Sequence, residues 1–400
     1  MQRFKIVSVI GTRPEAIKMM PVVKALQQRH ELFQHVLVST AQHREMLDQV
    51  LQVFGVTPDI DLQLMQPNQS LGSFASKSLG QLFELFGELQ PQVILIQGDT
   101  TTVTMAGLAA FYQGIAVGHV EAGLRTFDIH NPFPEEMNRK IAGCVATLHF
   151  APTELSRRNL MREGVPVENI FVTGNTVVDA LKMLPLPARF EDDALHALEL
   201  ESKRLMLVTA HRRENHGEPL RNICQALQQI ARRFDDIKII FPVHLNPNVR
   251  ALVHRELQGI ANVHLVEPAG YNDLRKLIES SYLILTDSGG IQEEAPSFNK
   301  PVLILRETTE RPEIIQCGAG RLVGTNTDRI VEEVTRLLTD SYAYTAMTMV
   351  ENPFGDGQAA DRIALVLQEY CNGQLQTGRL PVAVSHSIAQ WLGSSVLSGD

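Results

Sequence analysis

The chain has 400 residues, more than one ordinary hydrophobic core accommodates, and this length predicts two domains. Hydrophobic residues make up 44% of the chain and charged residues 20%, a balance typical of a globular rather than a disordered protein. The net charge of −9 argues against nucleic acid as the main partner, although a local cationic pocket could still bind a small anion.

The sequence also favours a location in the cytoplasm. No apolar run reaches the roughly 18 residues that a membrane-spanning helix needs, and the first residues are too briefly apolar for a signal peptide. The cysteines Cys144, Cys224, Cys317 and Cys371 lack the spacing of a zinc site. We therefore expect free thiols in a reducing compartment, with neither export nor a membrane partner.

Short β-branched segments alternate with longer helical patterns along the first part of the chain. The predicted strands are Lys5–Ile10, Val36–Ser39, Val93–Gln97, Ala116–Val120, Leu148–Ala151 and Ile170–Thr173. Helical patterns, among them Pro14–Gln28 and Glu45–Phe54, lie between these strands. Continuous apolar strands that alternate with helices are typical of a parallel sheet covered on both faces.

The alternation restarts after an irregular segment that follows Leu184. The second set of predicted strands is Leu205–Thr209, Ile237–Phe241, Val263–Val266, Leu283–Thr286 and Val302–Leu305. Two such sets predict an α/β protein with two Rossmann-like domains that face each other across a cleft. Neither half carries GxGxxG after its first strand, so we expect no dinucleotide cofactor.

Polar residues directly after the strands are the functional candidates, because ligands of open parallel sheets bind beyond the carboxyl ends of the strands. The first strand is followed by GTRPEAIK, in which Thr12 and Glu15 can form a capping box. Arg13 and Lys18 then lie near a helix N-terminus, where phosphate is favoured. The alternative is a well-capped helix with two solvated cations.

Three carboxylates follow later strands of the first half. Asp99 lies in GDTTTV, Glu121 lies in HVEAGLRT, and Glu135 opens a helix in PFPEEMNRK together with Arg139. Carboxylates crowded at one rim raise one another's pKa, which suggests general acid/base chemistry. Glu135 and Arg139 are four residues apart and could instead form a surface ion pair.

In the second half, TAHRREN places His211 and Arg212 after the leading strand, and FPVHLNP places His244 after the next. The segment TDSGGIQEEAPS predicts a strand, a tight turn at Ser288–Gly290 and a helix. Backbone N–H groups at such a turn can cradle a phosphate, although a lone SGG segment could also be only a turn.

Two further residues of this half suit a nucleotide. Glu294, one turn into the helix, could accept from ribose hydroxyls, and Arg311 in RETTERPE adds positive charge for a diphosphate. Asp99, His119 and Glu121 show none of the HxH, HExxH or DxD spacings, so we expect no metal. The absence of GxSxG argues against a serine hydrolase.

Ten motifs, taken in chain order, resemble those of the non-hydrolysing bacterial UDP-N-acetylglucosamine 2-epimerases. They are GTRPEAIKM, TAQHREMLDQVL, GDTTT, GHVEAGLRT, PEEMNR, AHRREN, PVHLNPNVR, ILTDSGGIQEEAPS, RETTERPE and NPFGDGQA. The likeness runs from about Lys5 to Tyr370, and the tail that follows departs from the family pattern.

The resemblance implies a glycosyltransferase-B fold, with the nucleotide in the cleft and a last helix that crosses back to the first domain. The corresponding boundaries are residues 1–172, 173–356 and 357–372, followed by a tail of unknown role over 373–400. The implied activity interconverts UDP-GlcNAc and UDP-ManNAc without nicotinamide, in a homodimer that supplies units for bacterial surface polysaccharide.

Carried over position by position, the resemblance implies acid/base roles for Asp99, Glu121 and Glu135, and a catalytic or phosphate role for His211. It implies UDP contacts for Arg13, Ser288, Gly290, Glu294 and Arg311. The motifs themselves add Lys18, Arg139 and Gly289 as substrate-binding candidates.

The resemblance also implies a second, activating UDP-GlcNAc site beside the first. Besides Glu135, its residues are Gln42, Gln69, Arg212 and His244. Two positions depart from the pattern, because Glu45 and Asn68 stand where some members carry glutamine and arginine.

The expected chemistry is elimination followed by re-addition. The hydrogen on C2 is not acidic, so its removal must accompany loss of UDP from C1, which leaves 2-acetamidoglucal. Two differently placed carboxylates are needed, because the proton leaves one face and returns to the other. Three alternatives stay open: a glycosyltransferase on the same fold, a hydrolysing epimerase, and a non-catalytic nucleotide-sugar sensor.

Overall fold

The computed structural model describes residues 3–41, 44–66, 69–198 and 200–373. The chain divides into two compact units, the first formed from Met1–Leu184 with Phe354–Asp400 and the second from Pro185–Pro353. Each unit contains one parallel sheet with helices, which confirms the predicted two-domain α/β fold class. No helix in the described ranges is long and apolar enough to cross a membrane.

The first unit is built on a sheet that has seven parallel strands within the described ranges, in the order β3-β2-β1-β4-β5-β6-β7. The strands are β1 (Phe4–Ile10), β2 (Phe33–Ser39), β3 (Ile60–Asp61), β4 (Val93–Gln97), β5 (Ala116–Val120), β6 (Leu148–Ala151) and β7 (Ile170–Val172). The helices are α1 (Arg13–Gln28), α2 (Arg44–Phe54), α3 (Leu71–Leu89), α4 (Thr101–Tyr112), α5 (Glu135–Val145), α6 (Glu154–Arg162) and α7 (Thr176–Met183). The predicted bounds of β4, β5 and β6 are confirmed residue for residue.

The second unit repeats this plan, with six parallel strands among its described residues in the order β10-β9-β8-β11-β12-β13. The strands are β8 (Arg204–Thr209), β9 (Ile237–Pro242), β10 (Val263–Val266), β11 (Ser281–Thr286), β12 (Val302–Ile304) and β13 (Gly320–Leu322). The helices are α8 (Asp193–His196), α9 (Glu218–Arg233), α10 (Pro247–Leu257), α11 (Tyr271–Ser280), α12 (Gly289–Glu294), α13 (Glu313–Gln316), α14 (Thr327–Thr339) and α15 (Ser341–Thr348). The sequence did not predict β3 and β13, whose two and three residues are too short for a periodic pattern.

The central strands are apolar because both of their faces are covered. In β4 the side chains from Val93 to Ile96 are fully buried. Gly118 in β5 is required by this packing, since a Cβ atom there would lie 2.7 Å from Leu95 Cδ2 and 3.1 Å from Phe150 Cε2. The close fit of neighbouring strands fixes where each strand ends, and hence where the polar residues after it lie.

Each sheet has a topological switch point, where the connections that follow two neighbouring strands leave in opposite directions. In the first unit this point lies between β1 and β4, next to Gly11–Thr12 and Gly98–Thr100. In the second it lies between β8 and β11, next to Ala210–Arg212 and Asp287–Ser288. Ligands of doubly wound sheets bind at such points. Four of the motifs singled out in the sequence therefore lie at the two switch points.

The last described helix, α16 (Ala359–Cys371), packs against α1 and α7 of the first unit, as the fold class predicts. Arg362 is buried, and its guanidinium binds Asp356 at 2.7 Å and donates to the carbonyl oxygen of Thr173 at 2.9 Å. Asp179 accepts from the backbone N–H of Ala360 at 2.8 Å. Because α7 also packs against α1, the chain leaves the first unit at Leu184, later than residue 172.

Replacing Arg362 with alanine should lower the free energy of unfolding by about 2–4 kcal/mol, because it strands Asp356 and a buried carbonyl. The matched control is Arg29→Ala, which removes the more exposed Arg29–Asp361 pair of the same helix and should cost less than about 1 kcal/mol. Urea denaturation of both variants measures the difference. Equal losses would mean that the Arg362 cluster does not fasten α16.

Candidate active site

Glu121, directly after β5, is a buried carboxylate with a cationic partner. Its side chain forms an ion pair with Nζ of Lys18 from α1, and it accepts from Nε2 of Gln97 at 2.9 Å. Both charged side chains are buried, and pairing offsets the cost of removing each of them from water. Glu121 has a φ of 65°, a left-handed conformation that costs a non-glycine residue about 1–3 kcal/mol and is found mainly at functional sites. Lys18, a predicted substrate ligand, thus contacts a predicted acid/base residue.

Three consecutive residues at the end of β4 are held by side chains from three elements. Nε2 of His119 in β5 lies 2.8 Å from the carbonyl oxygen of Gly98, and Nδ2 of Asn138 in α5 donates to that of Asp99 at 2.9 Å. The hydroxyl of Thr100 donates to Glu15 in α1. Burial lowers the pKa of His119 to about 4, so its ring is neutral at pH 7. These contacts fix the backbone on both sides of the Asp99 carboxylate.

Arg139 lies between two carboxylates. Its Nη2 donates to Oδ2 of Asp99 at 2.6 Å, and its Nη1 donates to Oε2 of Glu136 at 2.9 Å. Glu136 in turn accepts from the backbone N–H groups of Thr126 at 3.1 Å and Phe127 at 3.0 Å, which ties down the loop before α5. The spacing suggested a pair between Arg139 and Glu135, but Arg139 pairs with Asp99 and Glu136.

Glu135, at the start of α5, differs from Asp99, Glu121 and Glu136. Its Oε2 atom is buried and makes no hydrogen bond to any residue of the described ranges. An unsatisfied buried acceptor costs about 1–3 kcal/mol, and such atoms are uncommon in folded proteins. An oxygen in this state is suited to accept a proton or a hydrogen bond from a ligand.

Glu15, which the sequence predicts only as a capping residue, also belongs to this cluster. Its Oε2 accepts from the N–H groups of Gly11 at 2.5 Å and Thr12 at 3.2 Å, the second of which is the predicted capping contact. Its other oxygen accepts from Thr100. Burial, and less strongly the charge of Asp99, raises the pKa of Glu15 to about 7. Glu15 thus connects the loop after β1 with the loop after β4. The sequence alone could not predict this role, because it depends on which strands are neighbours in the sheet.

In the second unit Asp287, directly after β11, organises the switch point. It is fully buried, and its Oδ2 accepts from the N–H groups of His211 and Arg212 and from Nδ2 of Asn215, each at 2.9 Å. Its Oδ1 lies 3.3 Å from Nδ1 of His211. The sequence analysis did not single out Asp287, although its position after a predicted strand was an available signal.

His211 and His244, assigned to different sites by the sequence, lie side by side. Their rings stack with centroids 5.8 Å apart and an interplanar angle of 17°. Burial lowers the pKa of His211, the Asp287 carboxylate opposes this shift, and Arg212, His244 and His216 add to it. The His211 ring is therefore neutral at pH 7 before an anion binds.

Arg311 and Gly289 are in contact. A Cβ atom on Gly289 would lie 2.5 Å from Nη1 of Arg311, so only glycine lets the guanidinium approach the turn. Nε of Arg311 donates to Glu293 at 2.5 Å, and Nη1 pairs with Glu310. Glu310 also lies 3.7 Å from Arg212, which connects this network to the His211 loop.

The turn before α12 leaves backbone donors for a ligand. The side chain of Ser288, the N-cap residue of α12, makes no capping hydrogen bond, and the N–H of Ser288 donates to Thr286 Oγ1 at 2.9 Å. Glu294 ends α12 and is buried, and Gly290 lies between the two. Uncapped N–H groups at a helix start attract an anion.

The remaining candidates are more dispersed. Arg13 is half-buried in the first turn of α1. The side-chain Oε1 of Gln69 accepts from the N–H of Gln66 at 2.9 Å. Gln42 lies outside the described residues. Within the described ranges, no group of three potential metal ligands comes together.

The two units define a doubly wound α/β protein. One switch point has carboxylates that are paired with cations or hydrogen-bonded, and the other has a turn suited to bind an anion. The sequence model of the family described as UDP-N-acetylglucosamine 2-epimerase matches residues 24–368. The chain belongs to this family, which confirms the resemblance seen in its motifs.

Individual relatives agree. The UDP-N-acetylglucosamine 2-epimerase of Escherichia coli K12 is 52% identical over 370 residues, which cover 91% of this chain and 98% of that protein. The structure of UDP-GlcNAc 2-epimerase from Neisseria meningitidis bound to UDP-GlcNAc has a TM-score of 0.85 and 44% identity, with coverage of 92% and 100%. The S. aureus MnaA–UDP structure has a TM-score of 0.87 and 44% identity, with coverage of 92% and 97%.

The raised pKa of Glu15 makes its contribution to stability depend on pH. A carboxyl whose pKa is higher in the folded state contributes most below its unfolded pKa of 4.5, and this contribution is lost as the pH rises through about 7. Between pH 5 and pH 8, the free energy of unfolding of the wild-type protein should fall by about 2 kcal/mol more than that of Glu15→Gln. Urea unfolding of both proteins at the two pH values measures this. A difference that is the same at both values would contradict the assignment.

Proposed function

We propose that this chain is a non-hydrolysing UDP-N-acetylglucosamine 2-epimerase, an isomerase that interconverts UDP-GlcNAc and UDP-ManNAc. The observation that carries the proposal is the set of carboxylates Asp99, Glu121 and Glu135 at the carboxyl edge of the first sheet, in a chain of this family. A transferase or a sensor of nucleotide sugars has no need of three such groups.

The proposed reaction proceeds by elimination and re-addition. A carboxylate takes the proton from C2, the C1–O bond breaks, and its electron pair leaves with UDP while a C1=C2 double bond forms. UDP then adds back to C1 as a second acid delivers a proton to the opposite face of C2. Every atom of the UDP-sugar except the hydrogen on C2, which is exchanged, is recovered, so the reaction consumes no co-reactant.

The contacts of the carboxylates support these roles. Asp99 and Glu121 each contact a cation, Arg139 and Lys18 respectively, and a nearby positive charge favours the ionised form that a base requires. Glu135 has a buried oxygen with no partner in the described part of the chain, which suits a group that waits for a ligand. These contacts make all three carboxylates candidates for the two proton transfers.

The second unit, in this proposal, holds the diphosphate. The N–H groups of the Ser288–Gly290 turn bind its oxygens, supported by Arg311 behind Gly289, while Glu294 binds the ribose. His211, once its Nε2 has taken up a proton from solvent as the diphosphate binds, stabilises the negative charge that develops on the leaving UDP. The pairing of Arg311 with Glu293 and Glu310 supports a role in shaping the turn.

The test is incubation of the purified protein with UDP-GlcNAc in D2O, followed by NMR. We expect a mixture of UDP-GlcNAc and UDP-ManNAc that carries deuterium at C2. Free ManNAc with UDP would show a hydrolysing enzyme, and UDP release only with a sugar acceptor would show a transferase. Binding with no exchange would show a sensor, and each of these three outcomes overturns the proposal.

Glu121→Gln, Asp99→Asn and Glu135→Gln should each reduce the epimerisation rate by on the order of 10²-fold or more, because an amide cannot exchange the proton. UDP affinity, measured by calorimetry, should change little, since the diphosphate contacts lie on the second unit. The matched control is Glu154→Gln, an exposed carboxylate on α6, which should keep the wild-type rate. A wild-type rate in Glu121→Gln would remove that residue from the mechanism.

We also propose a second UDP-GlcNAc site that activates the enzyme, to which Arg212 and His244 of the second unit contribute. The stacking of His244 on His211 supports it, because a ligand on one ring would restrain the other. A sigmoidal dependence of the rate on UDP-GlcNAc concentration, changed to a hyperbola by His244→Ala, would agree with the proposal. A hyperbolic wild-type curve would contradict it.

The proposed enzyme is a cytoplasmic homodimer that supplies N-acetylmannosamine units for surface polysaccharide. The free state of all four cysteines agrees with a reducing compartment. An exposed aromatic patch on α3 and α4, formed by Phe83, Phe111 and Tyr112, supports self-association.

Phe111→Glu should convert a dimer into a monomer, because it places a charge in the aromatic patch. Light scattering after size-exclusion chromatography measures the mass. Tyr342→Glu, at an exposed tyrosine on α15 outside the patch, should leave the dimer intact. A monomeric wild-type protein, or a dimer that survives Phe111→Glu, would contradict the proposed interface.

A further inference from the structure

The two oxygens of Asp287 are used differently. Oδ2 accepts three N–H donors, from the backbone of His211 and Arg212 and from the side chain of Asn215. Oδ1 is buried and has no hydrogen-bond partner among the described residues, and it lies 3.3 Å from Nδ1 of His211. One oxygen thus holds the backbone of the His211 loop, and the other faces the imidazole.

The donors on Oδ2 leave the His211 ring as the group that can satisfy Oδ1. A buried carboxylate oxygen without a donor is costly, so a proton on Nδ1 of His211 is strongly favoured. When Nδ1 carries the proton, the neutral ring keeps its lone pair on Nε2. The side chain of His211 is 38% exposed, so Nε2 remains accessible to a ligand.

We propose that Asp287 is a positioning residue that fixes His211 as the Nδ1–H tautomer, so that Nε2 can take up a proton from solvent when the diphosphate binds and then donate a hydrogen bond to the leaving diphosphate. The carboxylate also stabilises the imidazolium that forms when Nε2 is protonated, as a buried aspartate does for a catalytic histidine in serine proteases. This inference rests on the proposed function for its kinetic consequence only. The tautomer itself is a property of the free protein.

Other charged groups that face the ring act against protonation. Arg212 precedes the short helical turn Arg213–Asn215, His216 follows it, and His244 stacks on the ring from the loop after β9. Each lowers the pKa of His211, as burial does, whereas the Asp287 carboxylate raises it. Without Asp287, the ring would lose a group that favours its charged form.

The first experiment measures the tautomer of His211 directly. The wild-type protein is labelled with 15N-histidine, and the His211 signals are assigned by comparison with His211→Gln. The spectrum, recorded at a pH where the ring is neutral, should show a protonated Nδ1 and an unprotonated Nε2. The opposite tautomer would overturn the proposal, whatever the activity of the enzyme.

The second experiment compares Asp287→Asn with Asn215→Ala. In Asp287→Asn, the amide oxygen can still accept the three donors, but the NH2 group then faces Nδ1 and forces the proton onto Nε2. We expect kcat to fall by on the order of 10²-fold or more, with KM and UDP affinity within about threefold of the wild-type values. The pH profile should lose the limb that belongs to His211.

Asn215→Ala is the structural control, because it removes a donor to the same carboxylate without changing the proton on Nδ1. It should lower the thermal midpoint yet keep the pH profile and the tautomer of the wild-type protein. A wild-type kcat in a folded Asp287→Asn protein would overturn the proposal, as would Asn215→Ala reproducing the loss of that limb. If Asp287→Asn does not fold, the tautomer of the wild-type protein decides.

An inactive wild-type enzyme would refute the proposed function but not this inference. The NMR spectrum needs no substrate, so the protonation state of His211 would still be measured. The two failures are therefore distinguishable.

Discussion

The burial of carboxylates at the carboxyl ends of parallel strands is the constraint on which the rest of the site depends. A charge in this position must be paired or hydrogen-bonded, or it will be neutralised by a proton. Glu121 is paired with Lys18, the partly exposed Asp99 is paired with Arg139, and Asp287 accepts from three N–H donors. Glu15, which has hydrogen bonds but a weaker compensation, has a pKa raised to about 7. The same partners that make burial tolerable also hold each carboxylate in one orientation.

Topology explains why these groups occur twice, at equivalent points of two sheets. Both sheets place their first and fourth strands side by side and send the following connections in opposite directions. Loops that diverge in this way leave room for a ligand and expose the N–H groups of a helix start. At this position the first unit carries carboxylates, and the second carries backbone donors, a histidine and arginines. The proposed acid/base groups and the proposed anion-binding groups therefore rest on different sheets.

Much of this could be predicted from the sequence, because strand periodicity and the residues after each strand are local features. The bounds of β4 to β6 and the positions of Asp99 and Glu121 followed from such patterns. The ion pairs that the charged side chains form could not be predicted from such patterns. Lys18 and Arg139 were read as substrate ligands, since nothing local shows that α1 and α5 bring them to Glu121 and Asp99. Glu15 was predicted only as a capping residue and Asp287 was not singled out, because their long-range partners lie in loops after strands that only the sheet order makes neighbours.

The central claim, that the sugar leaves UDP and returns to it, is tested most directly by isotope scrambling. UDP-GlcNAc is prepared with 18O in the oxygen that joins C1 to the β-phosphorus, and 31P NMR follows the label during epimerisation. If the C1–O bond breaks, rotation of the β-phosphate of bound UDP makes its three terminal oxygens equivalent. The account predicts that the label moves into non-bridging positions as UDP-ManNAc forms. Accumulation of UDP-ManNAc with the label still in the bridge would contradict it.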